Sequence, residues 1–170
     1  MPRVITPSSF GRPLGLYSHA MAAPAGEIVV VAGQVGVDAS GTLASPEVGG
    51  QTKQALANVQ AVLAAAGSSM RDVIRLQTFL VDAHDLPDFM KARQEVFPGY
   101  FPDGAYPPNT LLVVSRLVRP ELRVEIEAMA VRSPRKAPPP ARVARAKSPT
   151  GGRRTSSAAR RTTSRPRRRR

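Results

Sequence analysis

The net positive charge of this 170-residue chain lies entirely in its last 38 residues, which confines the folded part to the residues before them. Residues 133–170 hold 14 Lys and Arg and no acidic residue, whereas residues 1–132 hold 11 basic and 12 acidic residues. The final segment also has no Leu, Ile, Phe, Met or Tyr, so it cannot bury enough apolar surface to offset the entropy cost of ordering. We predict one domain over residues 1–132, large enough for a single core, and a disordered basic tail over residues 133–170.

Residue counts and motif spacing exclude several classes of site. The chain has no cysteine, which excludes disulfides, thiolate metal ligands and catalytic thiols. His19 and His84 lie far apart in the sequence, so no zinc site is predicted. The glycine-rich segment 33–41 has neither the spacing nor the lysine of a nucleotide-binding loop. Neither a signal sequence nor an apolar segment of roughly 20 residues is present. We expect a cytoplasmic protein with no metal, no cofactor and no membrane association.

The first half of the domain predicts strands followed by a helix. Prolines in residues 1–26 favour an irregular segment or an edge strand. The Ile-Val-Val-Val run predicts a strand over residues 27–32, buried on both faces or paired centrally, and a short second strand over 34–37. Ser45-Pro46-Glu47 predicts the start of a helix that Gly67 ends, with Gln51 away from its inner face. That inner face comprises Val48, Thr52, Ala55, Leu56, Val59, Leu63 and Ala66.

The second half predicts a strand over residues 72–82, a helix over 85–100 that Pro98 ends or kinks, and strands over 110–117 and 122–131. The inner stripe of this helix is Leu86, Phe89, Met90, Arg93 and Phe97. This order predicts an α+β fold in two layers, with two helices on one face of a mixed sheet. We assign Leu111, Val113, Val124 and Ile126 to the other, uncovered face, whose apolar character favours a homo-oligomer.

Two features of the predicted strands could carry chemistry. Glu125 and Glu127 alternate with apolar residues, so both carboxylates lie on one face of the last strand. The ordinary interpretation is a charged row facing solvent, and the functional one is a carboxylate that lines a pocket and polarises water. Gly33 ends the first strand, where glycine permits a close approach. Tyr17, taken alone, belongs to an unremarkable N-terminal segment.

Short motifs follow one another in a fixed order through residues 15–132. They are Tyr17-Ser18-x-Ala20, Val30-Val-Ala-Gly33-Gln34-Val-Gly-Val-Asp38, Gln51-Thr-Lys-Gln-Ala-Leu-Ala-Asn58-Val, Asp72-Val73-Ile-Arg, Thr78-Phe-Leu80-Val-Asp82, Gln94-Glu-Val-Phe97, Tyr106-Pro107-Pro108 and Val124-Glu125-Ile-Glu127-Ala128. Together they resemble the RidA (YjgF) family. The resemblance implies a chorismate-mutase-like fold and a homotrimer with ligand clefts between chains. It also implies cofactor-independent hydrolysis of 2-imino and enamine acids, or binding of a related small metabolite in those clefts.

The resemblance further implies the residues of the site. Glu125 and Tyr17 would be catalytic, and Gly33, Gln94 and Asn109 would bind the substrate. Family members carry asparagine where this chain has Gln94, and an arginine that grips the substrate carboxylate where this chain has Asn109.

The amide of Asn109 donates hydrogen bonds but carries no charge, so the anchor for an anionic substrate is missing. We therefore expect deaminase activity to be weakened or altered, and whether the protein is an enzyme stays open. Arg93, or Arg71 or Arg116 of a neighbouring chain, could supply a substitute cation.

The basic tail allows a second class of function. Arginines on a flexible chain suit phosphate backbones, and without aromatic residues to stack on bases any nucleic-acid binding would be independent of sequence. The arginines concerned are Arg153, Arg154, Arg160, Arg161, Arg167, Arg168, Arg169 and Arg170. An oligomer that binds nucleic acid through these tails is thus the alternative to a small-molecule protein. A solubilising extension, or a composition with no selected role, would explain the tail equally well.

Overall fold

The structure of the chain is a computed structural model that describes residues 1–9 and 11–132. The strands are β1 (Arg3–Ile5), β2 (Ala20–Ala22), β3 (Glu27–Val35), β4 (Val73–Leu80), β5 (Asn109–Val113) and β6 (Val124–Arg132). The helices are α1 (Val48–Ala65) and α2 (Leu86–Tyr100), with short 3₁₀ turns at Met70–Asp72 and Ala83–Asp85. The basic tail, with its predicted disorder, lies outside the described residues.

Four strands form one mixed sheet in the order β3, β6, β4, β5. Strand β6 runs antiparallel to β3 and to β4, whereas β5 runs parallel to β4. Strands β1 and β2 form a separate antiparallel pair. Helix α1 packs on β3, β6 and α2. The predicted architecture, an α+β fold of two helices on a mixed sheet, is confirmed.

The core lies between the sheet and the helices. It takes alternate residues of β6, together with the inner faces of α1 and α2: Val124, Ile126, Ala128, Ala130, Leu56, Val59, Leu63, Phe89 and Phe97. The assignment of Val124 and Ile126 to the uncovered face is therefore wrong. Strand alternation shows which residues share a face, but it does not show which face meets the helices.

The assignment of Leu111 and Val113 in β5 to the uncovered face is also wrong. Leu111 is in register with Thr78 and Val113 with Leu80, and both of these β4 residues are buried on the helix-facing side. Leu111 packs against the core, and Val113 stays 52% exposed on the same side at the sheet edge. The other side of the sheet, called the open face below, presents Ile28, Val30, Arg75, Gln77, Phe79, Glu125, Glu127 and Met129.

The Ile-Val-Val-Val run forms an edge strand, not a central or fully buried one. Within the described sheet β3 pairs only with β6, and Ile28 and Val30 are 63% and 68% exposed. The run is apolar on both faces because one face meets the core through Val31 and the other belongs to the open face. The predicted second strand over residues 34–37 is largely the continuation of β3, whose pairing is irregular between Val31 and Gln34.

Helix α1 begins later than predicted, and it buries Gln51, which the sequence pattern places away from the inner face. Ser45 does not cap it; the Ser45 hydroxyl accepts a hydrogen bond from the Glu47 amide at 3.0 Å, and the helix starts at Val48. Gln51 is 0% exposed. Its burial is tolerated because its side-chain amide forms hydrogen bonds with three backbone groups. Gly67, with φ of +69°, follows the helix end as expected.

In α2 the predicted stripe holds for Phe89, Arg93 and Phe97, which are buried, but not for Leu86, which is 42% exposed. Pro98 lies inside the helix, which continues to Tyr100. Strand β5 ends at Val113, earlier than predicted, so the connection to β6 is a longer segment, residues 114–123, than the predicted turn at 118–121.

Candidate functional site

Gly33 and Glu125 meet on neighbouring strands of the sheet. A Cβ atom placed on Gly33 would lie 1.7 Å from Oε1 and 2.5 Å from Cδ of Glu125. Any side chain at position 33 would therefore overlap the carboxylate. Gly33 has no positive φ, so a larger residue here is opposed by the position of the Glu125 carboxylate and not by the backbone conformation.

A cavity of about 470 Å³ opens beside this carboxylate and is lined by Arg116, Leu117, Val118 and Glu125. We call it the Glu125 cavity. Glu125 is half-buried, and its carboxylate forms no hydrogen bond or ion pair with any other described residue. The guanidinium of Arg116 likewise forms no hydrogen bond or ion pair with any other described residue. An anionic and a cationic side chain thus line one cavity without neutralising each other, which leaves both free to act on a ligand.

Tyr17 does not line this cavity but lies in a loop, residues 14–19, that contacts α2. The carbonyl oxygen of Leu16 accepts a hydrogen bond of 2.7 Å from Nη2 of Arg93. The Tyr17 hydroxyl accepts a long hydrogen bond of 3.4 Å from the Leu14 amide. The ring of Tyr17 stands edge-on to that of His19, with centroids 6.4 Å apart. Tyr17 is therefore positioned by α2 and by its own loop.

Arg93 holds that loop from a buried position. It is only 3% exposed, and its guanidinium carbon lies 4.3 Å from the centre of the Phe97 ring and 5.5 Å from that of Phe89. No carboxylate among the described residues pairs with it, and burial lowers the pKa of Arg93 to about 10. The ring faces and the Leu16 carbonyl take the place of a counterion. Arg93 is therefore committed to packing.

The two other residues predicted to bind the substrate, Asn109 and Gln94, also lie outside the Glu125 cavity. Asn109 is in register with Leu76 on the helix-facing side, where its Oδ1 accepts a hydrogen bond of 3.1 Å from the Thr78 hydroxyl. Gln94 is exposed on α2. Within a single chain, the structure brings together Gly33 and Glu125 and leaves Tyr17, Gln94 and Asn109 outside the Glu125 cavity.

Sequence reasoning missed the residues that support the segment 114–123. The Gln51 amide nitrogen donates to the carbonyls of Ser45 at 3.0 Å and Glu121 at 2.9 Å, and its oxygen accepts from the Arg123 amide at 2.8 Å. The buried carboxylate of Asp85 accepts from Nε of Arg123 at 2.8 Å and from Nη2 at 2.5 Å, which raises the pKa of Arg123. The sequence contained a signal for the burial of Gln51. This residue lies one helical turn before the buried Ala55, so the two share a face of the helix.

The described residues include no group of three or more His, Asp or Glu side chains arranged to hold a metal ion. Over the same residues, no helix combines the length and the apolar character needed to cross a membrane.

Comparison with known proteins places this fold among named relatives. A protein-family model described as endoribonuclease L-PSP matches residues 9–132. A RutC family protein of Pyrococcus horikoshii is 37% identical over 131 residues, which cover 76% of this chain and 98% of that protein. The 2-iminobutanoate/2-iminopropanoate deaminase of Mus musculus is 34% identical over 133 residues, covering 78% of this chain and 93% of that protein.

Solved structures agree with these sequence matches. The Rid family protein YyfB of Yersinia pestis, described as of unknown function, superposes with a TM-score of 0.69 at 32% identity, covering 76% of this chain and 98% of that one. TdcF of Escherichia coli with bound serine gives a TM-score of 0.58 at 29% identity, covering 77% and 99%. The family match ends at residue 132, and the arginines of the basic tail lie outside the described residues. Nucleic-acid binding by the tail therefore stays a prediction.

Proposed function

Because the chain belongs to the RidA (YjgF) family of small-molecule proteins, we propose that it hydrolyses 2-imino or enamine acids to 2-oxo acids without a cofactor. The observation that carries this proposal is the carboxylate of Glu125. It is held over Gly33 at an open cavity and has no partner among the described residues to occupy it. A half-buried, unpaired carboxylate is suited to accept and return a proton.

The proposed reaction needs only water and one such group. The oxygen of a water molecule bonds to C2 of the imine while Glu125 accepts a proton from that water. The electron pair of the C=N double bond moves to the nitrogen, which takes up a proton. The resulting carbinolamine loses ammonia as its hydroxyl proton is transferred and the C=O bond of the 2-oxo acid forms. Glu125 carries the proton between the oxygen and the departing nitrogen.

We further propose that Tyr17, Gln94 and Asn109 complete the cleft across a boundary between chains of a homotrimer. Two observations support this: one chain does not bring them to Glu125, and the open face exposes Ile28 and Val30. The mouse relative, named a 2-iminobutanoate/2-iminopropanoate deaminase, and TdcF with bound serine support a small amino-acid-like ligand.

A coupled assay on 2-iminopropanoate and 2-iminobutanoate tests the proposal. Glu125→Gln should reduce turnover by about a hundredfold, the usual contribution of a positioned acid–base group. The matched control is Glu127→Gln, on the same strand face but at a different cavity, which should leave turnover unchanged. Turnover that survives in Glu125→Gln would refute the role of Glu125.

Asn109→Arg tests the anchor at the family's usual position. Without a substitute cation in the cleft, wild-type turnover should be weak and this variant should raise it about tenfold, because a charged bidentate contact is stronger than a neutral one. A decrease, or robust wild-type turnover left unchanged by Asn109→Arg, would contradict the weakened-anchor argument.

A further inference from the structure

Within a single chain, the structure shows where each of the three arginines that could replace the cation missing at position 109 lies. Arg93 is buried against Phe89 and Phe97 and bound to the Leu16 carbonyl. Arg71 lies near Asp103, with a nitrogen–oxygen distance of 3.7 Å. Only Arg116 of the three lines the Glu125 cavity, and it is free of ion pairs and hydrogen bonds within the described part of the chain.

The cationic neighbours of Arg116 are already engaged. Arg119 donates from Nε to the carboxylate of Glu121 at 2.6 Å, and Arg123 is held by the carboxylate of Asp85. Because each of these guanidinium groups is matched to a carboxylate, neither brings uncompensated charge to the segment 114–123. Arg116 therefore carries the unmatched positive charge of this segment.

The walls of the Glu125 cavity match the parts of a small 2-oxo or 2-imino acid. Arg116 offers a planar guanidinium for the carboxylate, and Glu125 offers a proton carrier for C2 and its nitrogen. Leu117 and Val118 provide apolar surface for a short alkyl side chain, and Val118 is 84% exposed in the single chain. A neutral ligand would use the apolar surface but would leave the cation of Arg116 without a partner.

The backbone that carries Arg116 is tied at both ends. The amide of Val114 donates to the carbonyl of Leu80 at 2.8 Å, and the amide of Arg123 donates to the side chain of Gln51. Arg116 is therefore presented from a segment whose ends are anchored to the sheet and to α1, which limits the cost of positioning it.

From these observations we infer that Arg116 binds the substrate carboxylate in place of the arginine missing at position 109. The ligand of the Glu125 cavity is then a small 2-oxo or 2-imino carboxylate, and not a neutral molecule. This inference rests on the proposed function for the site, but it concerns binding and can be tested without turnover.

The test is calorimetric binding of 2-oxobutanoate, which is the product anion, and of its neutral analogue 2-oxobutanamide, to the full-length chain. Arg116→Gln should weaken 2-oxobutanoate binding by about tenfold and change 2-oxobutanamide binding by less than about twofold. Arg116→Lys should fall between, because it keeps the charge and loses the bidentate geometry. The matched control is Arg71→Gln, which should bind 2-oxobutanoate like the wild type. The basic tail is the same in every variant, so it cannot produce a difference among them.

The inference is overturned if Arg116→Gln binds 2-oxobutanoate as tightly as the wild type, if both control and test variants weaken it equally, or if the wild type does not bind it. Its failure is distinguishable from that of the proposed function. Binding that depends on Arg116 without imine turnover would contradict the proposed function alone. Turnover with binding that does not depend on Arg116 would contradict this inference alone.

Discussion

Gly33 and Gly36 lie three residues apart, yet a side chain at each would meet a different kind of neighbour. At Gly33 the obstacle is the carboxylate of Glu125, the far end of a flexible side chain. At Gly36 a Cβ would lie 2.4 Å from Cβ and 2.6 Å from Cα of Gln51, which is fully buried near the start of α1. The first overlap can be relieved by moving the carboxylate, whereas the second requires the helix to move.

We therefore predict that Gly33→Ala lowers imine turnover nearly as far as Glu125→Gln, with a change of less than about 1 kcal/mol in the free energy of unfolding. Gly36→Ala should instead destabilise the fold by about 1–3 kcal/mol, the cost of forcing atoms into a packed site. Urea unfolding followed by circular dichroism, together with the imine assay, measures both effects. A Gly33→Ala protein that unfolds as readily as Gly36→Ala would show that Gly33 serves the fold and not the carboxylate.

At the scale of elements, Gln51 joins α1 to the segment that carries Arg116. Replacing it with leucine leaves the Ser45 and Glu121 carbonyls and the Arg123 amide without that partner. An unmet buried polar group costs about 1–3 kcal/mol, so we predict that Gln51→Leu destabilises the protein by about 2–4 kcal/mol.

Gln60→Leu is the matched control, because Gln60 is exposed on the same helix. It should change the unfolding free energy by less than about 0.5 kcal/mol. Hydrogen exchange of the Arg123 amide should accelerate in Gln51→Leu and not in Gln60→Leu. Equal stability of the two variants would mean that the contacts of Gln51 contribute nothing net to holding the segment 114–123.

At the scale of the whole molecule, the open face combines exposed Ile28 and Val30 with the charged groups of Arg75 and Glu127. Exposed apolar patches of this kind mark association surfaces. We predict that the full-length chain is a trimer by light scattering, and that Val30→Glu dissociates it because an unpaired carboxylate would be buried between chains.

Val62→Glu is the control for charge alone, since Val62 is 40% exposed on α1, on the helix side of the sheet. It should leave the trimer intact. A wild-type monomer at micromolar concentration, or dissociation by both variants alike, would exclude the open face as the association surface and remove the proposed cleft between chains.

The sequence by itself determined that the net positive charge lies in the last 38 residues, the alternation of strands and helices, and the family. Each of these depends on local pattern: charge counts, apolar periodicity, cap residues such as Gly67, and motifs read in order. The sequence predicted the positions of α1 and α2 to within a few residues, because helix periodicity is set by hydrogen bonds between near neighbours in the chain.

Only the tertiary structure decided which side of each strand faces the helices, that β3 lies at a sheet edge, and that Gln51 points inward. It alone placed Arg116 with Glu125 at one cavity and left Asn109 on the opposite side of the sheet. These outcomes depend on strand order and register, which join residues far apart in the chain. A pattern of period two shows that Val124 and Ile126 share a face, but a one-residue change of register would reverse which face is covered.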